Sequence, residues 1–243
     1  MGLADREYMR PTRREFAHVR PGSVTAWLIF LNVLVYVADR MLLRWLPTYD
    51  LQFAGRVLYS FKPIEFWGHF SYLTGIHYLQ FWRLGTFQFL HANFEHLLFN
   101  MMALFFFGPM VERYLTPRQF LPFYLLSGIG GGAAYLLLLL MGFRIAAPWV
   151  PLIGASAGIF GILVAAARIA PNAVVLLLGA IPMRLRVLVW LFIAYALFQV
   201  LFRGSNAGGE AAHLGGAAVG FLLMRFPQVL ERIAWLGKRA PPF

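Results

Sequence analysis

The chain has 243 residues, 60% of them hydrophobic and 13% charged, with a formal net charge of +11. That balance excludes a soluble globular domain as the main body of the protein, and the lack of cysteine excludes disulfides and thiolate chemistry. The basic residues punctuate apolar segments instead of forming a face, which favours anionic lipid head groups over nucleic acid as their partner.

Residues 1–22 are polar, with Arg6, Arg10, Arg13, Arg14 and Arg20, and are expected to form a poorly ordered cytoplasmic tail. Val24 to Leu43 is apolar, long enough to span a bilayer, and without the small-residue cleavage site of a signal peptide. From Arg44 to Gly85 aromatic residues alternate with charges and prolines. Such a mixture suits the membrane interface, so a long, partly helical loop in the outer leaflet is expected.

Five further spans are expected at about 86–111, 119–141, 152–168, 187–202 and 211–226, giving six in one membrane domain, residues 23–228, followed by a cytoplasmic tail, 229–243. With the N-terminus inside, the inner segments carry fourteen of the 21 basic residues, so the positive-inside rule puts both ends in the cytoplasm. The apolar stretch Val174 to Met183 is broken from the next apolar run by Pro182, Arg184 and Arg186. A fifth span from Val187 is then about 16 residues, or roughly 24 Å, short of a hydrocarbon thickness of about 30 Å.

Polar groups inside spans are costly and mark functional sites. Span two holds His91, His96 and Asn100, span four holds Ser156, and span six holds His213. The serine lies in Gly154-Ala155-Ser156-Ala157-Gly158, a Gly-x-Ser-x-Gly pattern shared with the nucleophile elbow of α/β-hydrolases, but without the strand and sheet that such an elbow needs. Ser156 stands twelve residues before Arg168, His213 twelve before Arg225 and Asn100 thirteen before Arg113. At about 1.5 Å per residue each lies roughly 18 to 20 Å above the inner surface and roughly 10 Å below the outer one. Separate packing contacts have no cause to share a level, so a joint site is expected. His213 is the candidate base for Ser156. The Ser156 backbone N–H, His96 and Asn100 are the candidate oxyanion donors. No acidic residue is expected at this level to orient His213, which predicts a Ser-His dyad and not a triad. Gly154, Gly158 and Gly161 on span four, with Ala212, Gly216 and Gly220 on span six, are spaced to let two helix backbones approach closely. The loop Arg203 to Glu210, with Gly204, Gly208 and Gly209, is expected to lack rigidity and to move with the fifth span.

These residues resemble a rhomboid intramembrane serine protease over Val24 to Phe226. The features occur in order: Trp82-Arg83 in the first loop, His96 and Asn100 as His-x-x-x-Asn, the serine motif from Gly154 to Gly158, and Gly208-x-x-x-Ala212-His213-x-x-Gly216-x-x-x-Gly220 in the last helix. The resemblance implies an all-α, six-helix polytopic membrane bundle of bacterial type, in a bacterial plasma membrane. It implies cleavage of transmembrane protein substrates near their membrane entry, with Ser156 as nucleophile, His213 as base, Phe160 packed on the His213 ring, and neither metal nor cofactor. Trp82 and Arg83 are expected to support the first loop, Trp82 as an aromatic anchor and Arg83 as a cation that satisfies backbone carbonyls or lipid phosphates. Two other functions come from different classes: a non-catalytic scaffold that binds transmembrane segments, and a transporter, which would usually carry an internal repeat that is not seen here.

Overall fold

The computed structural model describes residues 18–177 and 180–236. Most of the tail expected over 1–22, and the end of the second tail from residue 237, lie outside the described residues. The rest is a helical membrane bundle. Three of its helical segments, Val24–Leu42, Phe94–Leu115 and Pro117–Leu140, are long and apolar enough to cross a bilayer, and Ser156–Ile169 and Leu185–Leu201 are apolar but shorter.

Helix α1 (Val24–Val37, continued by a wider turn over Ala38–Leu42) starts where Ser23 accepts from the Ala26 N–H at 3.1 Å. Its first N–H groups are met from another helix. Glu112, near the end of α4 (Phe94–Leu115), accepts from Val24 N at 2.8 Å, Thr25 N at 2.9 Å and Thr25 Oγ1 at 2.6 Å. A buried carboxylate at a helix N-terminus thus satisfies orphan donors and sits favourably in the helix dipole. The same crossing is tight because Gly108 has no side chain: a Cβ there would lie 2.7 Å from Thr25 Cγ2.

The first loop is more ordered than its mixed composition suggests. It holds a hairpin of β1 (Tyr49–Phe53) and β2 (Arg56–Phe61), with Tyr49 opposite Phe61, and two short helices, α2 (Pro63–Gly68) and α3 (Arg83–Thr86). Arg83 is the pin. Its Nη1 donates to the carbonyls of Phe66 and His69, each at 2.7 Å, and its Nε donates to Gln80 Oε1 at 2.6 Å. Burial pushes the guanidinium down to about 10, still charged at neutral pH. Arg83 therefore bonds backbone carbonyls of the first loop, inside the protein. Trp82 is half exposed and donates from its indole N–H to the Trp67 carbonyl at 3.2 Å.

Beyond α4 the chain reverses at Thr116 into α5 (Pro117–Leu140), where proline at the first helical turn loses no bond. Helices α6 (Ser156–Ile169), α7 (Leu185–Leu201) and α8 (Ala207–Arg225) complete the bundle, and α8 packs against α5, α6 and α7 together. Several expected boundaries move. Residues 86–93 are short turns rather than the start of a span, because Asn93 caps α4 by accepting from the His96 N–H at 2.8 Å. Residues 152–155 precede their helix instead of opening it, and α8 begins four residues earlier than expected, at Ala207. Gly208 and Gly209 are therefore helical and not part of a loose loop. The stretch after α6 folds as a hairpin of β3 (Val174–Leu177) and β4 (Ile181–Arg184), with Leu176 opposite Pro182. A further helix, α9 (Gln228–Leu236), comes after α8.

Two of these contacts can be tested by substitution. Glu112→Ala orphans the Val24 and Thr25 donors, at about 1–3 kcal/mol per unsatisfied buried group. At about 2–4 °C per kcal/mol for a chain of this size, the thermal midpoint in detergent should fall by several degrees, and by less in Glu112→Gln. An unchanged midpoint would show that α1 does not depend on this carboxylate.

The second contact involves His69, fully buried against Phe61 with ring centroids 4.3 Å apart, its Nδ1 2.9 Å from the Glu65 carbonyl. Burial, helped by the nearby Arg83 charge, lowers this imidazole from 6.5 to about 4. Between those values the unfolded chain takes up a proton that the folded chain refuses. Stability is therefore full above pH 6.5 and declines toward pH 4, by on the order of 3 kcal/mol. Unfolding in detergent at pH 7 and pH 4.5 should show a clearly smaller loss for His69→Gln than for the natural chain; equal losses would contradict this.

Candidate active site

The chain approaches Ser156 through a single antiparallel bridge to the first loop. Leu152 pairs with Phe70 in both directions, at 2.6 and 3.1 Å, and the Gly154 N–H donates to the Phe87 carbonyl at 2.9 Å. Gly154 then adopts φ +131°, closed to other L-residues, and a Cβ there would also lie 2.8 Å from the Cε1 and Nε2 of His96. Two steps later the backbone turns helical, so Ser156 is the first residue of α6. An apolar helix of fourteen residues with a serine at its head thus follows a glycine whose backbone conformation lets the chain turn.

His213 meets this serine from α8. Its Nε2 lies 2.7 Å from Ser156 Oγ, a full hydrogen bond between residues 57 positions apart. The two helices touch backbone to backbone. A Cβ on Gly216 would run into the carbonyl oxygen of Ala157, and one on Gly220 would lie 2.5 Å from Gly161 Cα. Gly158 is closed in the same way by the Tyr124 ring of α5, at 2.6 Å. Phe160, one turn after the serine, stacks on the His213 imidazole with centroids 4.3 Å apart and planes 10° from parallel. The aromatic contact implied by the resemblance is present, and it restricts rotation of the ring.

From α4, His96 and Asn100 line the same cavity of about 960 Å³ as Ser156 and His213. His96 Nδ1 accepts from the Ala92 N–H at 3.5 Å, which leaves Nε2 as the protonated nitrogen and a donor. That nitrogen lies beside Gly154. Asn100 spends one amide hydrogen on the His96 carbonyl at 2.8 Å and keeps the second. The three residues expected at one depth, Ser156, His213 and Asn100, are therefore brought with His96 around one cavity. Trp82 and Arg83 stay in the first loop, apart from it. Among the described residues no group of three or more histidine and acidic side chains has metal-holding geometry.

One expectation is overturned. An acidic residue does face His213: Glu210 Oε2 lies 2.8 Å from His213 Nδ1, with the carboxylate buried in the first turn of α8. A residue three positions before His213 shares its helix face, which is the signal present in the sequence. Counting depth alone puts Glu210 a turn above the serine and hides it. A second group without a role assigned from sequence is the Arg40–Glu65 ion pair, 2.7 Å apart, on the cavity wall.

The helix crossing yields a graded prediction. Gly216→Ala and Gly220→Ala force α6 and α8 apart, with overpacking of about 1–3 kcal/mol, whereas Gly85→Ala, whose Cβ would meet nothing within 4 Å, should be neutral. Thermal midpoints in detergent should fall for the first two variants and hold for the third; a neutral Gly216→Ala would mean that the crossing is not close-packed.

Comparison with known proteins agrees with this architecture. The Rhomboid domain family matches residues 78–226. A 61-residue segment, 25% of this chain, is 48% identical to the putative rhomboid protease YdcA of Bacillus subtilis (strain 168), covering 31% of that protein. The rhomboid protease GluP of the same organism is 32% identical over 142 residues, 58% of this chain and 25% of its own length. The mitochondrial RHOMBOID-like protein 12 of Arabidopsis thaliana is 31% identical over 146 residues, 56% of this chain and 43% of its own length. The chain thus covers less than half the length of each of these relatives. With the family match extending over more than half of its residues, the chain belongs to the rhomboid family.

Proposed function

We propose that the protein is an intramembrane serine endopeptidase that cuts transmembrane protein substrates near the outer membrane face. The observation that carries this is the 2.7 Å hydrogen bond from Ser156 Oγ to His213 Nε2 in a cavity that His96 and Asn100 also line, within an otherwise apolar bundle. As Ser156 Oγ attacks the scissile carbonyl carbon, its proton passes to His213 Nε2. The tetrahedral intermediate collapses when His213 returns that proton to the leaving nitrogen and the C–N bond breaks. Water then attacks the acyl carbon, giving a proton to His213, and the ester C–Oγ bond breaks as Ser156 recovers its own. The oxyanion is met by the Ser156 N–H, which has no partner inside α6, with the His96 Nε2–H and the free Asn100 amide hydrogen. Six spans with both termini cytoplasmic, in one membrane domain over residues 23–228, put this cavity toward the outer face. The surrounding partners are membrane lipids.

The test is labelling of the full chain in detergent by a fluorophosphonate, in which Ser156 Oγ displaces fluoride from phosphorus and its proton passes to His213. Labelling at Ser156 is expected in the natural chain. It should be lost in Ser156→Ala and His213→Ala, and be slower by on the order of 10 to 1,000-fold in Asn100→Ala, where the Ser156 N–H and His96 remain. A natural chain that folds but takes no label would leave a non-catalytic scaffold that binds transmembrane segments.

A further inference from the structure

We propose that Glu210 is a positioning residue for His213, so that this chain works through a three-membered Ser156–His213–Glu210 chain of hydrogen bonds. The assignment rests on the protease function above and adds a member to its machinery. For Nε2 to accept the serine proton it must be bare, so the one ring hydrogen of neutral imidazole has to sit on Nδ1. That N–H needs an acceptor in a part-buried place, and Glu210 Oε2 at 2.8 Å supplies one that, as a carboxylate, accepts only. The arrangement selects the tautomer, aims the ring at Ser156 and offsets the charge of the imidazolium that forms when the proton arrives.

The carboxylate is itself held. Its other oxygen, Oε1, accepts from Asn206 Nδ2 at 3.2 Å, and it lies in the first turn of α8, where the helix dipole favours a negative charge. The remaining surroundings of the ring leave Glu210 in this position. From α6 come the Ser156 hydroxyl, on Nε2, and the Phe160 ring, stacked on the face. From α7 comes Phe192, 6.3 Å beyond Phe160, and from α4 His96, whose Nδ1 is turned to Ala92.

A purely structural role for Glu210, at the start of α8 with Asn206, makes a different forecast, and Glu210→Gln separates the two. Glutamine keeps the volume and can keep the Asn206 contact, but it carries no charge, and its amide can donate to a bare Nδ1. That stabilises the tautomer with hydrogen on Nε2, which cannot take the serine proton. The experiment follows fluorophosphonate labelling of the full chain in detergent as a function of probe concentration, with thermal midpoints alongside. In Glu210→Gln the limiting labelling rate should fall by on the order of 10 to 1,000-fold. The concentration for half-maximal rate should stay within about twofold and the midpoint should hold. Glu210→Asp, which keeps the charge on a shorter arm, should recover part of the rate. A Glu210→Gln chain that labels at the natural rate overturns the proposal, as does one whose rate falls only together with its thermal midpoint, or a Glu210→Asp chain no faster than Glu210→Gln. If the natural chain takes no label, it is the protease function that fails, so the two outcomes are distinct.

Discussion

The backbone contact between α6 and α8 is the constraint on which the rest depends. A serine and a histidine on separate helices share a 2.7 Å hydrogen bond only if their backbones come nearer than ordinary side chains permit. Gly161, Gly216 and Gly220 provide that proximity, each facing backbone atoms of the other helix. In a bilayer no hydrophobic force pulls helices together, because lipid tails are as apolar as leucine, so the association relies on dense van der Waals contact that small residues alone allow. The same holds on the opposite flank of α8, where a Cβ on Gly131 of α5 would lie 2.6 Å from the Ala212 carbonyl oxygen. His213 is thus carried by a helix wedged on two sides through glycine.

Much of this is legible in the sequence, and for identifiable reasons. Polar residues stand out against apolar spans, and counting from the terminal arginines puts Ser156, His213 and Asn100 at one level. The structure gathers them, with His96, around one cavity. The spacing of glycines foretells the close crossing. The hidden parts reflect the limits of counting. The hairpins at 49–61 and 174–184 lie in segments where aromatic and β-branched residues fit an interface as well as a strand. The start of α4 is obscured because Phe87, Phe89, Leu90 and Ala92 carry the apolar character on through 86–93, and only the Asn93 cap marks where the helix begins. Glu210 escapes because the expected sixth span starts at 211 and leaves it in the preceding loop; α8 in fact starts at Ala207, which puts Glu210 on the helix, three positions before His213 and on its face.

The helix that Ser156 heads is too short to cross a bilayer by itself. Fourteen residues rise about 21 Å, roughly 9 Å less than the hydrocarbon thickness, so a crossing here has to be completed by non-helical backbone next to α6. Such backbone is tolerated only where protein satisfies its polar groups. Here the satisfaction is passed along the first loop. Arg83 holds the carbonyls of Phe66 and His69, the next residue, Phe70, exchanges two hydrogen bonds with Leu152, and Phe87 accepts from Gly154. The first loop is therefore bonded directly to the segment that leads into Ser156. This gives the buried arginine, distant in sequence, a physical line to the serine: release its two carbonyls and the bridge between Phe70 and Leu152 loses its anchor, and with it the support of the turn at Gly154 that leads into α6.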